Sequence, residues 1–319
     1  MKEWFQGMEY VYEVYKEKSF SKAAKNLFIS QPSLSANVKR IEDKIGSPLF
    51  DRSVSPVRPT ECGLNYIRAA EKIRDIERNF YTYVTDLEGL KSGSLKLGGS
   101  SFCSSYVFPD IVRPYYNKYP HVKISLTEGG TPELLELLKH GALDIVMDNS
   151  APDEKSFEGM RIGKERLLLA VPRRFEKTRS LQAFEMTDTF QGKPVDLAEF
   201  QDFPFIMLKH ENDTRVRGER LCREAGFKPE IYLELDQQAT AFNLAACGMG
   251  LTFVSDTLIN STGHPDDLAL YPLEGEGASR SLYLFWKKGR YLSRAMEEFL
   301  RMAPDFVKSD CISREPVIN

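Results

Sequence analysis

Polar and basic side chains recur on one face of a helix that the sequence predicts from Gln31. They are Gln31, Ser33, Ser35, Asn37, Lys39 and Arg40. Amide and hydroxyl groups hydrogen-bond the edges of bases, whereas lysine and arginine neutralise phosphates. Lys39 and Arg40 are consecutive, so both cannot face the same groove. The pattern predicts a surface that binds nucleic acid.

A second group of residues follows predicted strands and opens predicted helices: Ser100, Ser101, Thr131 and Thr214. Unpaired N–H groups and the helix dipole favour an anion at such positions, so we expect a small-molecule site there. Each hydroxyl suits an ordinary helix cap equally well. Met207 and Phe253 are expected to line the apolar side of the site, with a place in the hydrophobic core as the alternative.

Sequence motifs for catalysis are absent. The chain contains no HExxH, no GxxxxGK[ST] and no GxSxG, and Gly248–Gly250 is a GxG without a third glycine that precedes a predicted strand. Four histidines are scattered, at His121, His140, His210 and His264. We therefore expect no enzyme, no metal and no cofactor.

The predicted helix at Gln31 needs neighbours to position it. Two runs with helical spacing precede it, Ser30 and Pro32 suit its first turn, and Gly46 suits its end. Two short helices joined by a turn predict a helix-turn-helix, to which a short hairpin over residues 51–60 adds a wing.

One long helix is predicted from Glu61 to about Leu90. Apolar residues recur every three or four positions along it: Leu64, Ile67, Ala70, Ile73, Ile76, Phe80, Tyr83, Leu87 and Leu90. Such a long, narrow stripe favours pairing with a second copy of the helix, although burial in a larger core is the alternative. Lys91–Ser94 then predicts a hinge.

Predicted strands and helices alternate beyond that hinge, among them a strand over Arg166–Val171 and helices over Tyr106–Lys118 and Ser293–Arg301. This alternation indicates a doubly wound α/β fold. About 220 residues are too many for one such sheet, so we expect two lobes with a ligand between them. The predicted domains are 1–60 (winged helix-turn-helix), 61–91 (dimerisation helix), 92–304 (ligand binding) and a poorly ordered tail, 305–319. Lobe I covers about 94–165 and 272–304, and lobe II about 166–271.

Charge is unevenly distributed along the chain. The net charge of −3 argues weakly against nucleic acid, but residues 16–58 carry nine basic and four acidic side chains, a local charge of +5. No run of about 18 apolar residues predicts a membrane span, and no apolar signal core follows Met1. Five cysteines, Cys62, Cys103, Cys222, Cys247 and Cys311, form no CxxC pair. We expect a cytoplasmic protein with reduced thiols.

The N-terminal third closely resembles the DNA-binding domain of LysR-type transcriptional regulators. The matching positions are Ser19, Phe20, Ala23, Ala24, Leu27, Ser30, Gln31, Pro32, Leu34, Ser35, Glu42, Gly46, Pro48, Leu49, Phe50, Arg52, Thr60 and Gly63. Looser matches continue through the long helix to FPFIMLK, GFKPEIYLELD and ACGMGLTFVSD. The resemblance covers about residues 5–302.

This resemblance implies a dimer or tetramer that binds double-stranded promoter DNA, with RNA polymerase as a further partner. A small effector, such as a carboxylate or another anionic metabolite, would bind between the lobes and change the oligomer and its DNA contacts. Gln31, Pro32, Ser33, Ser35 and Lys39 would lie in the major groove, Arg52 and Arg58 on the wing would reach phosphate or the minor groove, and Ser30 would mainly cap the helix.

Several residues depart from the family pattern. Lys18 stands where Gly is usual, Ala36 where Arg is frequent, Pro59 where Leu is usual and Ser255 where Pro is common. Ala36 removes one expected DNA contact.

The sequence leaves two alternative functions open. Some members of the family sense oxidants through two cysteines, and Cys222 and Cys247 lie in the corresponding lobe. The α/β lobes also suit a solute-binding protein, which would not need residues 1–90.

Overall fold

The computed structural model describes residues 4–87, 93–176, 194–263 and 265–306. The chain divides after Thr85 into two compact units. Leu90, Lys91, Ser92, His264, Cys311 and the predicted tail beyond residue 306 lie outside the described residues.

The first unit contains the predicted helix-turn-helix and wing. Its elements are α1 (Met8–Glu17), α2 (Phe20–Asn26), α3 (Gln31–Ile45), β1 (Phe50–Asp51), β2 (Arg58–Pro59) and α4 (Glu61–Asp86). Ser19 caps α2 and Ser30 caps α3, each with its hydroxyl accepting the N–H three residues later. Val11, Val14, Leu34, Val38 and Leu49 form the centre of one shared core.

The wing is fixed to the end of α3 and the start of α4. Glu42 Oε1 accepts the N–H groups of Leu49, at 2.8 Å, and Phe50, at 3.3 Å. Thr60 donates its hydroxyl to the Pro48 carbonyl at 2.7 Å and accepts the Gly63 N–H at 2.9 Å. A Cβ on Gly63 would lie 1.9 Å from the Leu49 carbonyl oxygen, so only glycine permits this approach.

Helix α4 has two different halves. Tyr66, Ile67 and Ala70 are buried in the core of the first unit. Farther along, apolar side chains are exposed: Ile76, Phe80, Tyr81, Tyr83 and Val84. The helix spans Glu61–Asp86, and its predicted end at about Leu90 lies outside the described residues.

The second unit has the predicted α/β alternation. Its first elements are β3 (Gly93–Gly99), α5 (Ser101–Tyr106), α6 (Phe108–Lys118), β4 (Val122–Glu128), α7 (Thr131–Lys139), β5 (Ile145–Asp148), β6 (Phe157–Pro172) and α8 (Arg173–Glu176). Then come a 3₁₀ turn (Leu197–Phe200), β7 (Pro204–Leu208), α9 (Asp213–Glu224), β8 (Glu230–Leu235), α10 (Gln238–Ala246), β9 (Thr252–Ser255), α11 (Asp256–Thr262) and β10 (Leu268–Pro272). A second 3₁₀ turn (Glu276–Ala278), β11 (Ser279–Lys287) and α12 (Arg294–Phe306) complete it.

Strand β6 runs through both lobes. Its first part pairs antiparallel with β11, which joins β5, β3 and β4 in the sheet of lobe I. Its last part pairs with β9 and β10, while β7 and β8 pair in parallel beside them in lobe II. Separate cores fill the lobes, one around Phe108 and Phe299, and others around Phe205 and Phe242.

Several predicted boundaries were wrong. The strand predicted at Arg166–Val171 begins at Phe157. Its first half was not predicted, because that half lies in lobe I and has a different burial pattern from the second half. Gly93 and Ser94 belong to β3 and not to a hinge. The helix predicted over Tyr106–Lys118 corresponds to α6, which begins at Phe108, whereas Tyr106 ends the separate helix α5. Helix α12 continues past the predicted Arg301 to Phe306. No described helix has both the length and the apolar character that crossing a membrane requires.

Candidate functional site

The outer face of α3 carries the predicted DNA-binding groups. Gln31, Pro32, Ser33, Lys39 and Arg40 are exposed, whereas Leu34, Val38 and Ile41 on the opposite face are buried. Ser30 Oγ lies 3.3 Å from the Ser33 N–H, consistent with its expected role as a cap. The helix therefore presents its first turn and one polar face to solvent.

Arg52 is held against this helix by several groups. Its Nη2 lies 2.8 Å from Glu42 Oε2, its Nη1 donates to Ser35 Oγ at 3.0 Å, and its guanidinium lies 4.8 Å from the centre of the Phe20 ring. Since Glu42 also holds β1, Arg52 positions the wing as well as presenting a charge. Arg58 is exposed on β2, opposite Asp51 in the hairpin.

A cleft of about 550 Å³ lies between the two lobes of the second unit. Four predicted ligand-binding residues line it: Ser100, Ser101, Thr131 and Thr214. Met207 and Phe253 do not, because both are buried in the core of lobe II, where Phe253 stacks on Phe205 at 5.8 Å. The apolar lining instead comes from Phe102, Tyr106, Met147, Leu208, Val216 and Ala239.

Hydrogen bonds occupy several polar groups of the cleft. Thr131 donates its hydroxyl to Asp148 Oδ2 at 2.5 Å, and Asp148 Oδ1 accepts the Ser150 N–H at 2.9 Å. The carboxylate of Asp148 therefore lies where α7 begins, a place that the helix dipole makes favourable for an anion. A ligand carboxylate would have to compete with it.

A buried polar chain leads from the cleft into lobe II. Gln238 Nε2 donates to Thr214 Oγ1 at 3.3 Å, and Ser255 donates its hydroxyl to Gln238 Oε1 at 3.0 Å. Ser255 in turn caps α11 through the Leu258 N–H. Gln238 was not predicted as a residue of this site. The one sequence feature that could have indicated it is its partner Ser255, which stands where the family commonly has proline.

Charge in the cleft is mainly negative. Asp148, Glu211, Asp213 and Asp236 line it, against one arginine, Arg280. Arg280 is already bound, because its Nη1 lies 2.6 Å from Asp213 and its Nε donates to Glu165, which is 1% exposed. This lining does not favour the anionic ligand that the sequence suggested.

The cysteines differ in exposure. Burial raises the pKa of Cys103 to about 11 and that of Cys222 to about 12, so both stay as thiols near neutral pH. Cys247, the proposed partner of Cys222, is exposed. Among the described residues, no group of three or more His, Cys, Asp or Glu side chains could hold a metal ion.

Two family models match the chain. Residues 5–64 match the model described as "Bacterial regulatory helix-turn-helix protein, lysR family", and residues 88–307 match "LysR substrate binding domain". The first match lies within the first unit, and the second covers most of the second unit. The first spans α1 to the start of α4, including the exposed face of α3.

Relatives and solved structures agree with these matches. The HTH-type transcriptional regulator YcgK of Bacillus subtilis is 29% identical, over 94% of each chain. The hydrogen peroxide-inducible genes activator of Haemophilus influenzae is 24% identical, over 95% of this chain and 96% of that one.

A full-length OxyR variant from Pseudomonas aeruginosa is 21% identical, with a TM-score of 0.67 over 92% of each chain. Full-length CbnR in complex with its target DNA is 20% identical, with a TM-score of 0.55 over 93% of this chain and 97% of that one. These last two likenesses concern the fold. The chain belongs to the LysR family of DNA-binding transcriptional regulators.

Proposed function

We propose that this regulator binds promoter DNA through the first turn and polar face of α3, with the wing on the adjacent backbone. The observation that carries the proposal is the division of α3 into an exposed face with Gln31, Ser33 and Lys39 and a buried apolar face. Glutamine can bind adenine through two hydrogen bonds in the major groove, and lysine neutralises phosphate. Arg52 holds the wing while Arg58 faces outward.

Two copies of the chain associate through α4. Ile76, Phe80, Tyr81 and Val84 expose apolar surface over its second half. Burying such a stripe against the same helix of another copy removes it from water and pairs two helix-turn-helix units. A two-fold pair of units suits a pair of half-sites separated by one helical turn of DNA or a multiple of it.

A small effector binds in the cleft between the lobes and changes how the oligomer contacts DNA. Three observations support this site: it is concave, it combines apolar with hydroxyl and amide groups, and both lobes contribute to it. The surplus of carboxylates makes a neutral or cationic polar molecule a better fit than an anion. An effector acts only if it binds one arrangement of the lobes more tightly than the other.

The test is DNase I footprinting of the full chain on the DNA that flanks its own gene, with sedimentation velocity on the same sample. We expect a protected region with two parts separated by a multiple of about 10.5 base pairs, and a species of two or more chains. The variant Phe80→Asp should sediment as a smaller species and lose the footprint, while Tyr232→Asp, another exposed aromatic, on β8, should do neither. A monomer with a full footprint would refute pairing through α4, and uniform protection would refute specific binding.

A further inference from the structure

Phe28 occupies an unusual position in the turn between α2 and α3. The Phe28 N–H donates to the Lys25 carbonyl at 3.2 Å, and the Ile29 N–H donates to the Ala24 carbonyl at 3.0 Å. These two bonds form the Schellman motif, in which the residue after the helix cap takes a left-handed conformation. Phe28 does so, with φ 55°.

A phenylalanine is disfavoured in this conformation. Glycine is the usual residue there, and α3 ends in the usual way, on Gly46 with φ 83°. A Cβ in the left-handed region clashes with the following carbonyl and therefore destabilises the folded chain.

The Phe28 ring gains no packing that would offset this strain. It is 96% exposed, although its neighbours Leu27 and Ile29 both pack against the core of the first unit. A strained backbone that carries a fully exposed apolar side chain points to a contact made outside the monomer.

The position of Phe28 indicates what it contacts. It lies two residues before Ser30, the cap of α3, and the first turn of α3 is the part proposed to enter the major groove. In a helix-turn-helix the first helix crosses the DNA backbone, so the turn that joins it to the second helix lies close to the sugar–phosphate chain. Lys22 and Lys25 on α2, which precede Phe28 by a few residues, are also exposed.

We propose that Phe28 is a DNA-contacting residue whose ring packs against deoxyribose at the rim of the groove. This inference rests on the proposed role of α3. The contact removes apolar surface from water without neutralising a phosphate, so it adds affinity for all sequences and releases no counterion. Phe28 should therefore change the dissociation constant without changing its dependence on salt.

The experiment compares variants by fluorescence anisotropy on a mixed-sequence duplex of about 40 base pairs, long enough for two half-sites. Kd is measured across a salt series, and the Tm of each variant is measured without DNA. Phe28→Gly and Phe28→Asn both suit a left-handed residue. We expect neither to lower the Tm and both to raise Kd about fivefold, as loss of a small apolar contact does, with the salt slope unchanged. Tyr232→Asn controls for an exposed aromatic elsewhere, and Lys39→Gln should lower the slope by about one.

Each other outcome has a definite meaning. A Kd within twofold of the wild-type value for both Phe28 variants overturns the proposal. So does a loss of affinity that accompanies a lower Tm, because Phe28 would then act through the fold. If wild-type Kd does not respond to salt and Lys39→Gln has no effect, the proposed α3 surface fails as well, which separates that failure from the failure of Phe28 alone.

Discussion

Arg280 Nη1 lies 2.6 Å from the Asp213 carboxylate and so joins β11 of lobe I to the first turn of α9 in lobe II. The same guanidinium donates through Nε to Glu165, its partner across β6 and β11. Arg280 also lines the cleft. One side chain thus connects the cleft, the strand shared by the lobes and the start of a lobe II helix.

Arg280→Gln should strongly destabilise the second unit, because it leaves the buried Glu165 carboxylate without its cation. Removing one partner of a buried ion pair costs about 3–5 kcal/mol. Urea unfolding at pH 7.5 measures the change. Lys209→Gln is the matched control, since the Lys209–Asp236 pair is exposed and should contribute far less. Equal losses in the two variants would contradict the role given to Arg280.

Asp256 should make stability depend on pH. Burial raises the pKa of Asp256 to about 7. The hydrogen bond from the Arg166 N–H opposes this rise, and the negative charge of Glu165 adds to it. The folded chain then holds a proton that the unfolded chain releases near pH 4, so this contribution to stability falls as pH rises from about 4 to about 7 and is constant above.

The variant Asp256→Asn isolates that effect because asparagine resembles the protonated acid. The free energy of unfolding of the variant, minus that of the wild type, should increase between pH 5 and pH 7.5. Urea titrations at intervals of half a pH unit measure it. Parallel pH profiles for the two proteins would show that Asp256 titrates normally.

The thiols should react in the order of their exposure. Because burial keeps Cys103 and Cys222 protonated, iodoacetamide at pH 7.5 should label Cys247 before either of them, and should reach Cys103 and Cys222 only when the chain unfolds. Peptide mapping by mass spectrometry after short labelling times measures the rates. Rapid labelling of Cys222 in the folded protein, or a Cys222–Cys247 disulfide after peroxide, would support the redox-sensing alternative.

Val216 provides a test of the cleft that leaves the fold intact. It lines the cleft and is 55% exposed, so Val216→Arg should fill part of the space without disturbing the core. Compounds from a panel of amines, polyols and carboxylates that raise the Tm of the wild type should fail to do so in the variant. Tyr232→Arg, away from the cleft, should respond like the wild type. A compound that stabilises Val216→Arg fully must bind elsewhere.

Local signals in the sequence predicted the first unit well. Ser19 and Ser30 cap their helices as expected, Gly46 ends α3, and the alternation of polar and apolar residues along α3 gives its exposed face. These features depend on residues within one or two helical turns of each other. The left-handed Phe28 was not predicted, because helix ends of this kind usually carry glycine.

Long-range packing explains what the sequence did not reveal. Ser100 and Thr131 were predicted at the cleft because a helix start after a strand has a known place in α/β folds. Met207 and Phe253 were assigned to its wall, but an apolar residue near a strand end can face either side, and both face the core. The link from Thr214 through Gln238 to Ser255 joins three separate elements, so no local pattern indicates it.

The most direct test of the central claim is whether Gln31 reads sequence from the exposed start of α3. Anisotropy titrations would compare a duplex from the footprinted region with a shuffled duplex of the same composition, at one fixed salt concentration. The wild type should prefer the native duplex by at least about 10³-fold. Gln31→Ala should lose about 1–3 kcal/mol of that preference, the value of one good base contact, with unchanged affinity for the shuffled duplex. Equal preference in wild type and Gln31→Ala would contradict the claim that this face of α3 reads DNA.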